Sequence, residues 1–369
     1  MKVIYLYTSH GAAPTNSIAD NWRPPAQCGQ QYDSVHGDGV FKLLGELHKN
    51  GVIDDLRVFY ESNRDPGKAQ WIPGVYCCVV PEIRFVAPFI KEDTIIFARG
   101  GFRGWHDFLH GYKGKNWLML YPANTGRERW PWWDVILEDR QRANVVDKCG
   151  RYWNFFIKPT DEGIFHPTDQ KIKYDLCIGA SHIHDKKGQW RTIEALVEYK
   201  RLYGNSPRCI LPGAARKGVR SSSIINRIKQ HALDVSIPGE VTKEGLCQIF
   251  NESKFFIHLG THGQNDRGPI EALACGTPLI IGSPQYHSPI INEVSFIPPD
   301  INDFTSVAKE INRLLRHYHK VGSYPYMYYR ANHSFDQSYE RMEILLKKMA
   351  GNQPGLLAKH AIRSAFESV

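Results

Sequence analysis

Two hydrophobic periods alternate along the chain. Residues 3–7 form a short apolar run that closes on Thr8-Ser9-His10-Gly11, the pattern of a buried strand. Val40, Leu43, Leu44 and Leu47 then recur at helical spacing, which predicts a helix over 39–49. Further strands are expected at 56–60, 75–80, 94–98 and 117–121. Residues 9–37 show no period and are rich in Gly, Pro, Asn and Asp. A loop of that length inside a compact domain is functional or mobile.

The pattern breaks over 158–172, where two prolines, a glycine and mixed charge read as a connection between domains. A second series follows. Strands are expected at 174–179, 208–211, 235–237, 255–259 and 278–281, and helices at 189–203, 222–232, 243–251 and 269–274. A last helix over 335–349 takes Ser334 as its N-cap. Strands alternating with helices predict an α/β chain with parallel sheets. The expected division is 1–158, 159–333, and a final helix with its tail over 334–369. Two such halves about a hinge would face a central cleft, with ligands bound beyond the carboxyl ends of the strands.

Composition narrows this picture. The chain has 369 residues, of which 42% are hydrophobic and 23% charged, so a disordered or collagen-like chain is excluded. No apolar run reaches the roughly 18 residues of a membrane span, so no integral membrane segment is expected. The N-terminus reads as strand rather than signal-peptide core, which predicts a cytoplasmic protein, or one of the host cytoplasm if viral. Eight cysteines without a C-x-x-C pair argue against a zinc ribbon and for a reducing compartment. The net charge of +8 suits a polyanionic partner, whether phosphate, nucleic acid or an acidic surface, and equally suits solvated surface Lys and Arg.

Residues 255–282 carry the most chemistry. A buried strand ends at Leu259, and a polar loop, Gly260-Thr261-His262-Gly263-Gln264-Asn265-Asp266-Arg267-Gly268, leads to Pro269. Pro269 is expected at the start of a helix and Gly276 at its end. The loop would then present free backbone amides and the positive helix end to a phosphate or diphosphate. Glu271 is placed in the first turn, where its carboxylate can accept two hydrogen bonds from a ribose diol.

At these residues the chain resembles the retaining glycosyltransferases of GT-B fold, in particular the large family 4. Glu271-Ala272-Leu273-Ala274-Cys275-Gly276-Thr277-Pro278 is similar to the family's Glu-Ala-x-Ala-x-Gly-x-Pro segment. Thr261-His262-Gly263-Gln264 matches the preceding Ser-x-x-Glu-Gly loop imperfectly. Gln264 stands for the family's first glutamate, and Asp266 is the competing carboxylate. Residues 156–167 resemble the hinge segment. Ser181-His182-Ile183-His184-Asp185-Lys186-Lys187-Gly188 is similar to the element that grips the donor diphosphate, with His182 where the family has arginine. The last helix resembles the family's terminal helix, which crosses back to the first domain. The resemblance implies two Rossmann-like domains facing a cleft and transfer from a nucleotide-diphosphate sugar with retention. That sugar is a co-substrate; no cofactor and no metal is implied. It places Glu271 on the donor ribose and Lys187 on the diphosphate; Arg216 or Lys217, after the strand over 208–211, could join Lys187 there, and a solvated basic turn explains them equally well. Gln264, Asn265 or Asp266 would touch the transferred sugar. Arg267, Gly268, Pro269 and Ile270 complete the donor loop, and Gly11 follows the first strand where this fold meets its substrates.

On the acceptor side, Arg99 and its following glycines could hold a phosphate or the acceptor. His106 and Asp107 could assist its hydroxyl, and Tyr121 stands near the place where the family often has His or Asp. A turn with a helix cap explains 98–107 as well. Residues 125–133, with Arg127, Arg129, Trp130, Trp132 and Trp133, read either as partial core or as a stacking platform for sugars or bases. The acceptor expected from the resemblance is a glycan or lipid-linked saccharide. The rival acceptor is a hydroxymethylated base in DNA, as used by bacteriophage enzymes of this fold. A non-catalytic nucleotide-sugar or nucleic-acid-binding protein is the alternative of another class. A dinucleotide oxidoreductase is disfavoured, because no G-x-G-x-x-G follows the first strand. His182, His184 and Asp185 are too close in sequence to converge readily on a metal.

Overall fold

The computed structural model describes residues 1–8, 39–61, 67–69, 72, 74–99, 105–121, 130–138, 145–156, 158–179, 182–183, 187–215, 219–260, 267–282, 295–296, 298 and 300–352. The chain divides into two compact units, Met1–Pro159 with Ser338–Val369, and Thr160–Gln337. They are called unit 1 and unit 2.

Unit 1 is built on one sheet. Its strands are β1 (Lys2–Thr8), β2 (Asp55–Glu61), β3 (Gly67–Ala69), β4 (Tyr76–Val80), β5 (Thr94–Arg99), β6 (Trp117–Tyr121), β7 (Val135–Glu138), β8 (Val145–Val146) and β9 (Tyr152–Phe155). Their order is β3-β4-β2-β1-β5-β6-β7-β9-β8. The inner pairings are parallel, and antiparallel β3 and β8 close the two edges. Val3, Ile4, Tyr5 and Leu6 are all buried, as expected for a central parallel strand covered on both faces. Helix α1 (Gly39–Lys49) buries Val40, Leu43, Leu44 and Leu47, the stripe its spacing predicts. The short helix α2 (Trp105–His110) follows β5. On one side of the sheet Ile4, Leu6, Ile96, Ala98, Leu118 and Leu120 pack with Trp105, Trp132 and Trp133.

Unit 2 has a wholly parallel sheet of β10 (Tyr174–Ile178), β12 (Cys209–Pro212), β14 (Val235–Gly239), β15 (Ser253–His258), β16 (Leu279–Ile281) and β17 (Ser295–Phe296). The order is β14-β12-β10-β15-β16-β17. A two-residue ladder joins β11 (His182–Ile183) to β13 (Ala214–Ala215). The helices are α3 (Gln189–Tyr203), α4 (Val219–Gln230), α5 (Lys243–Asn251), α6 (Arg267–Ala274), α7 (Phe304–Arg316) and α8 (Tyr324–Asn332). Helix α9 (Phe335–Ala350) starts where expected: the Ser334 hydroxyl accepts from the Gln337 N–H at 3.3 Å.

Several boundaries differ from expectation. Helix α4 starts at Val219 and stops at Gln230, because Ala232 adopts φ 44°, which no α-helix can contain. Helices α7 and α8, and strands β7, β9 and β17, were not anticipated. For α7 the signal is present: Asp303 caps it by accepting from the Ser306 N–H at 3.1 Å, and Val307, Ala308, Ile311 and Leu314 form its buried stripe. No helix among the described residues is long and apolar enough to cross a membrane.

Candidate functional site

In unit 2 the chain enters the sheet at β10, moves outward through β12 and β14, then returns to β15 on the other side of β10. The connections leaving β10 and β15 therefore diverge. This is the switch point at which open parallel sheets hold ligands. Glycine backbone gathers there. The Gly179 N–H donates to Ile257 O at 3.0 Å, and the Gly282 N–H to His258 O at 2.9 Å. Gly188 caps α3 with φ 71°, and a Cβ on it would overlap the Leu259–Gly260 peptide. Any side chain at 188 would push the start of α3 away from the segment leaving β15. The first turn of α3 is thus set directly against the chain that leads towards α6.

Lys187 stands immediately before that cap. A Cβ on Gly179 would lie 3.6 Å from the Lys187 Cβ, so the lysine stem rises beside the end of β10. Trp190, the second residue of α3, is half-buried against the unit 2 core. His182 pairs with Ala214 across the small ladder. That ladder brings the segment after β10 beside the segment after β12, which runs on to Arg216. Arg216 itself, like Gly11, Gln264, Asn265 and Asp266, lies outside the described residues, as do 9–37, 125–129, His184 and Asp185.

Helix α6 corrects two expectations. It begins at Arg267, so Pro269 is its third residue and Glu271 its fifth, in the second turn rather than the first. Proline is tolerated in a first turn because its missing N–H had no helical partner to lose. The Arg267 start leaves the amides of Arg267, Gly268 and Ile270 at the helix entrance. Gly268 faces the Phe256 ring, and a Cβ on it would approach Phe256 Cζ to 3.1 Å. Pro269 and Ile270 are buried, and Glu271 is 9% exposed. The end of α6 is as expected. Gly276 has φ 79°, its N–H donates to Leu273 O at 2.9 Å, and the Thr277 N–H donates to Ala272 O at 2.9 Å. This pairing is a Schellman motif.

Lys243, the first residue of α5, was missed in the sequence. Burial, and next the Arg267 charge, hold its ammonium below the ordinary lysine range, while Glu271 and Asp161 act in the opposite sense. Lys243 thus shares its surroundings with Arg267 and Glu271. The sequence did carry a signal. A lysine directly after the N-cap Thr242, which accepts from the Gly245 N–H at 3.1 Å, opposes the helix dipole.

In unit 1 the switch point lies between β1 and β5. Tyr7, Arg99 and Tyr121 occupy one row across β1, β5 and β6. The Arg99 guanidinium carbon stands 4.9 Å from the Tyr7 ring centre and 5.8 Å from that of Tyr121. Tyr121 is buried, with its ring beside the Arg99 guanidinium. Beside it, burial drives the Tyr5 phenol far above its ordinary range, with Arg99 opposing. Tyr7 is a second residue that sequence reading missed, because strand register is what brings it to Arg99.

His106 and Asp107 form another pair. Asp107 Oδ1 accepts from His106 Nδ1 at 2.7 Å, with side chains 44% and 95% exposed. The His106 ring meets Trp132 and Trp130 edge-on at 4.2 and 5.2 Å. Trp132 and Trp133 are core, which corrects the platform reading for these two; Trp130 is half-buried and stacks on both. Trp105 is buried and donates from Nε1 to Glu61 Oε2 at 2.5 Å, while Glu61 Oε1 accepts from the Ile83 N–H at 2.9 Å. Burial outweighs both bonds and raises the Glu61 carboxyl to about 7.

No protein-family model and no curated protein matches this sequence. Solved structures do. Sucrose-phosphate synthase from Thermosynechococcus elongatus is similar over 95% of this chain and 100% of its own, with TM-score 0.68 and 14% identity. HepE from Anabaena, solved in complex with UDP, is similar over 94% of this chain and 100% of its own, with TM-score 0.63 and 14% identity. The N-terminal domain of trehalose-6-phosphate phosphatase from Candida albicans is similar over 94% of this chain and 97% of its own, with TM-score 0.66 and 11% identity. Two parallel α/β units in this order, matched end to end by these structures, make the fold of this chain that of the GT-B glycosyltransferases.

Proposed function

We propose that the chain is a glycosyltransferase that moves a sugar from a nucleotide-diphosphate sugar to an acceptor hydroxyl. The observation that carries this reading is the glycine-lined switch point of unit 2, where Gly188 seats the start of α3 against the Leu259–Gly260 peptide. Departure of a nucleoside diphosphate builds negative charge on its oxygens. Fixed amides at the entrances of α3 and α6, with Lys187 and Arg216, would stabilise that charge without reorganising. Glu271 is the ribose ligand, its carboxylate accepting from two vicinal hydroxyls. Lys243 acts on it as a nearby cation. Gln264, Asn265 or Asp266 contacts the transferred sugar. Arg99, with His106, Asp107 and Tyr121, is the acceptor-side set, in which Tyr121 positions Arg99.

UDP is the nucleotide to test first, because HepE was solved with it. Similarity of residues 271–278 to the family 4 segment supports retention at the anomeric carbon. By the same resemblance the acceptor is a glycan or a lipid-linked saccharide. Turnover of a panel of nucleotide sugars by wild type and by Glu271→Ala tests the assignment. A loss of at least about tenfold in kcat/KM is expected, the effect of about 1.4 kcal/mol of transition-state binding. Unchanged turnover in the variant rejects it.

A non-catalytic reading draws on one observation: the same fold forms a domain of a protein named as a phosphatase. Nucleotide-sugar binding without turnover across saccharide acceptors would decide for that reading. The net charge of +8 permits the modified-DNA acceptor without demanding it, and the test is DNA binding that weakens steeply with salt.

A further inference from the structure

Two cysteines meet inside unit 2. Cys247 lies on α5 and Cys275 directly follows α6, and their sulfurs are 3.7 Å apart with the Cys275 thiol donating. Both residues are buried. Asn251 Nδ2 also donates to Cys247 Sγ at 3.4 Å, and the Cys247 thiol faces His166 O at 3.8 Å. A disulfide needs sulfurs about 2.05 Å apart, so these two must close by about 1.7 Å. Donation from Cys275, with a further bond from Asn251, holds the Cys247 thiol below its ordinary range against the effect of burial. Cys247 is therefore the sulfur that ionises first and attacks. The pair is coupled to the nucleotide site by backbone: the Cys275 N–H donates to Glu271 O at 3.2 Å, one turn away. On the other flank, the Thr277 hydroxyl donates to Phe250 O at 2.8 Å, so the chain after α6 is already fastened to α5.

We propose that Cys247 and Cys275 are a redox-active dithiol that exchanges with low-molecular-weight disulfides, and that closing it draws the end of α6 towards α5 and displaces Glu271. The last clause rests on the nucleotide-site reading above. The Cys247 thiolate attacks one sulfur of the small disulfide, forming a mixed disulfide and releasing one small thiolate. Cys275, after losing its proton, attacks the Cys247 sulfur and expels the second. Two electrons pass from the protein to the small disulfide, and the two protein protons end on the two small thiols.

The test incubates the full chain in graded glutathione disulfide and glutathione, followed by peptide mapping without reduction. The expected product joins Cys247 to Cys275 and is reversed by dithiothreitol. In the oxidised chain the Kd for UDP rises at least about fivefold, and dithiothreitol restores it. Cys275→Ser shows neither the linkage nor the loss. Glutathione found on exposed Cys149 alone, at the most oxidising mixture, overturns the proposal. So does the linkage with an unchanged Kd. Should the reduced chain bind no UDP, it is the nucleotide-site reading that fails. The dithiol is then judged by peptide map and thermal midpoint. A midpoint that moves on oxidation in wild type and not in Cys275→Ser supports it, and identical midpoints overturn it.

Discussion

Both sheets reverse direction beside their first strand, yet their carboxyl ends are finished in different chemistry. In unit 2 the finish is main chain: Gly179, Gly188, Gly260 and Gly282, with the start of α3 laid on a peptide bond. In unit 1 it is side chain: Arg99 between Tyr7 and Tyr121, and a buried Glu61 tied to Trp105. Amides recognise an anion whatever it is attached to. A ring-clamped guanidinium and a buried carboxyl recognise shape and protonation as well. The contrast suits a shared leaving group on one unit and an individual acceptor on the other.

The harshest way to break the contrast is Gly188→Ala. The new Cβ must take a positive φ and overlap the Leu259–Gly260 peptide, so unit 2 should lose about 4 kcal/mol, strain and overlap together. Urea denaturation measures this, and a loss below about 1 kcal/mol would refute the backbone-contact account.

Next in size is a pH effect confined to unit 1. Folded Glu61 keeps its proton to about pH 7, whereas an unfolded glutamate releases it near its ordinary value of 4.5. Between those values the folded state binds more protons, so stability falls as pH rises and levels off above 7. The span corresponds to about 3 kcal/mol. Asp134, raised by burial to about 7 while it accepts from the Leu118 N–H, contributes in the same sense. Denaturation of Glu61→Gln at pH 5 and pH 8 should show a smaller difference than wild type; an equal difference would exclude Glu61 as a source.

The smallest expected effect is Arg99→Lys. The charge stays but the planar stack on Tyr7 and Tyr121 is lost, worth about 1 kcal/mol. Transfer should fall several-fold with the UDP Kd unchanged. A matching change in UDP affinity would erase the distinction between the two strand-end sets.

Much of the fold was legible because strands such as β1, β6 and β10 are short apolar runs and helices such as α1, α3 and α5 carry clear stripes. The tyrosine-rich α8 has no comparable polar face, and β7 and β9 are too short to show a period. Within the candidate site, what the sequence placed correctly lies within one segment: the Gly276 end of α6, Lys187 just before a helix, and Glu271 as a carboxylate near a helix entrance. It placed that entrance two residues late, since Pro269 can occupy any position of a first turn. What it could not disclose depends on chain separation. Gly188 meets Leu259 only because β10 and β15 are neighbours, and Tyr7 meets Arg99 only through strand register.

Of the nine tryptophans, only Trp190 falls within Thr160–Gln337, three positions beyond Lys187. Unit 2 therefore has a single indole emitter, rooted in the first turn of the helix that Gly188 anchors. If the donor binds beside that turn as proposed above, the Trp190 part of the emission is expected to change, and Trp190→Phe would remove that part. The chain supplies its own optical titration of the site, with no label attached.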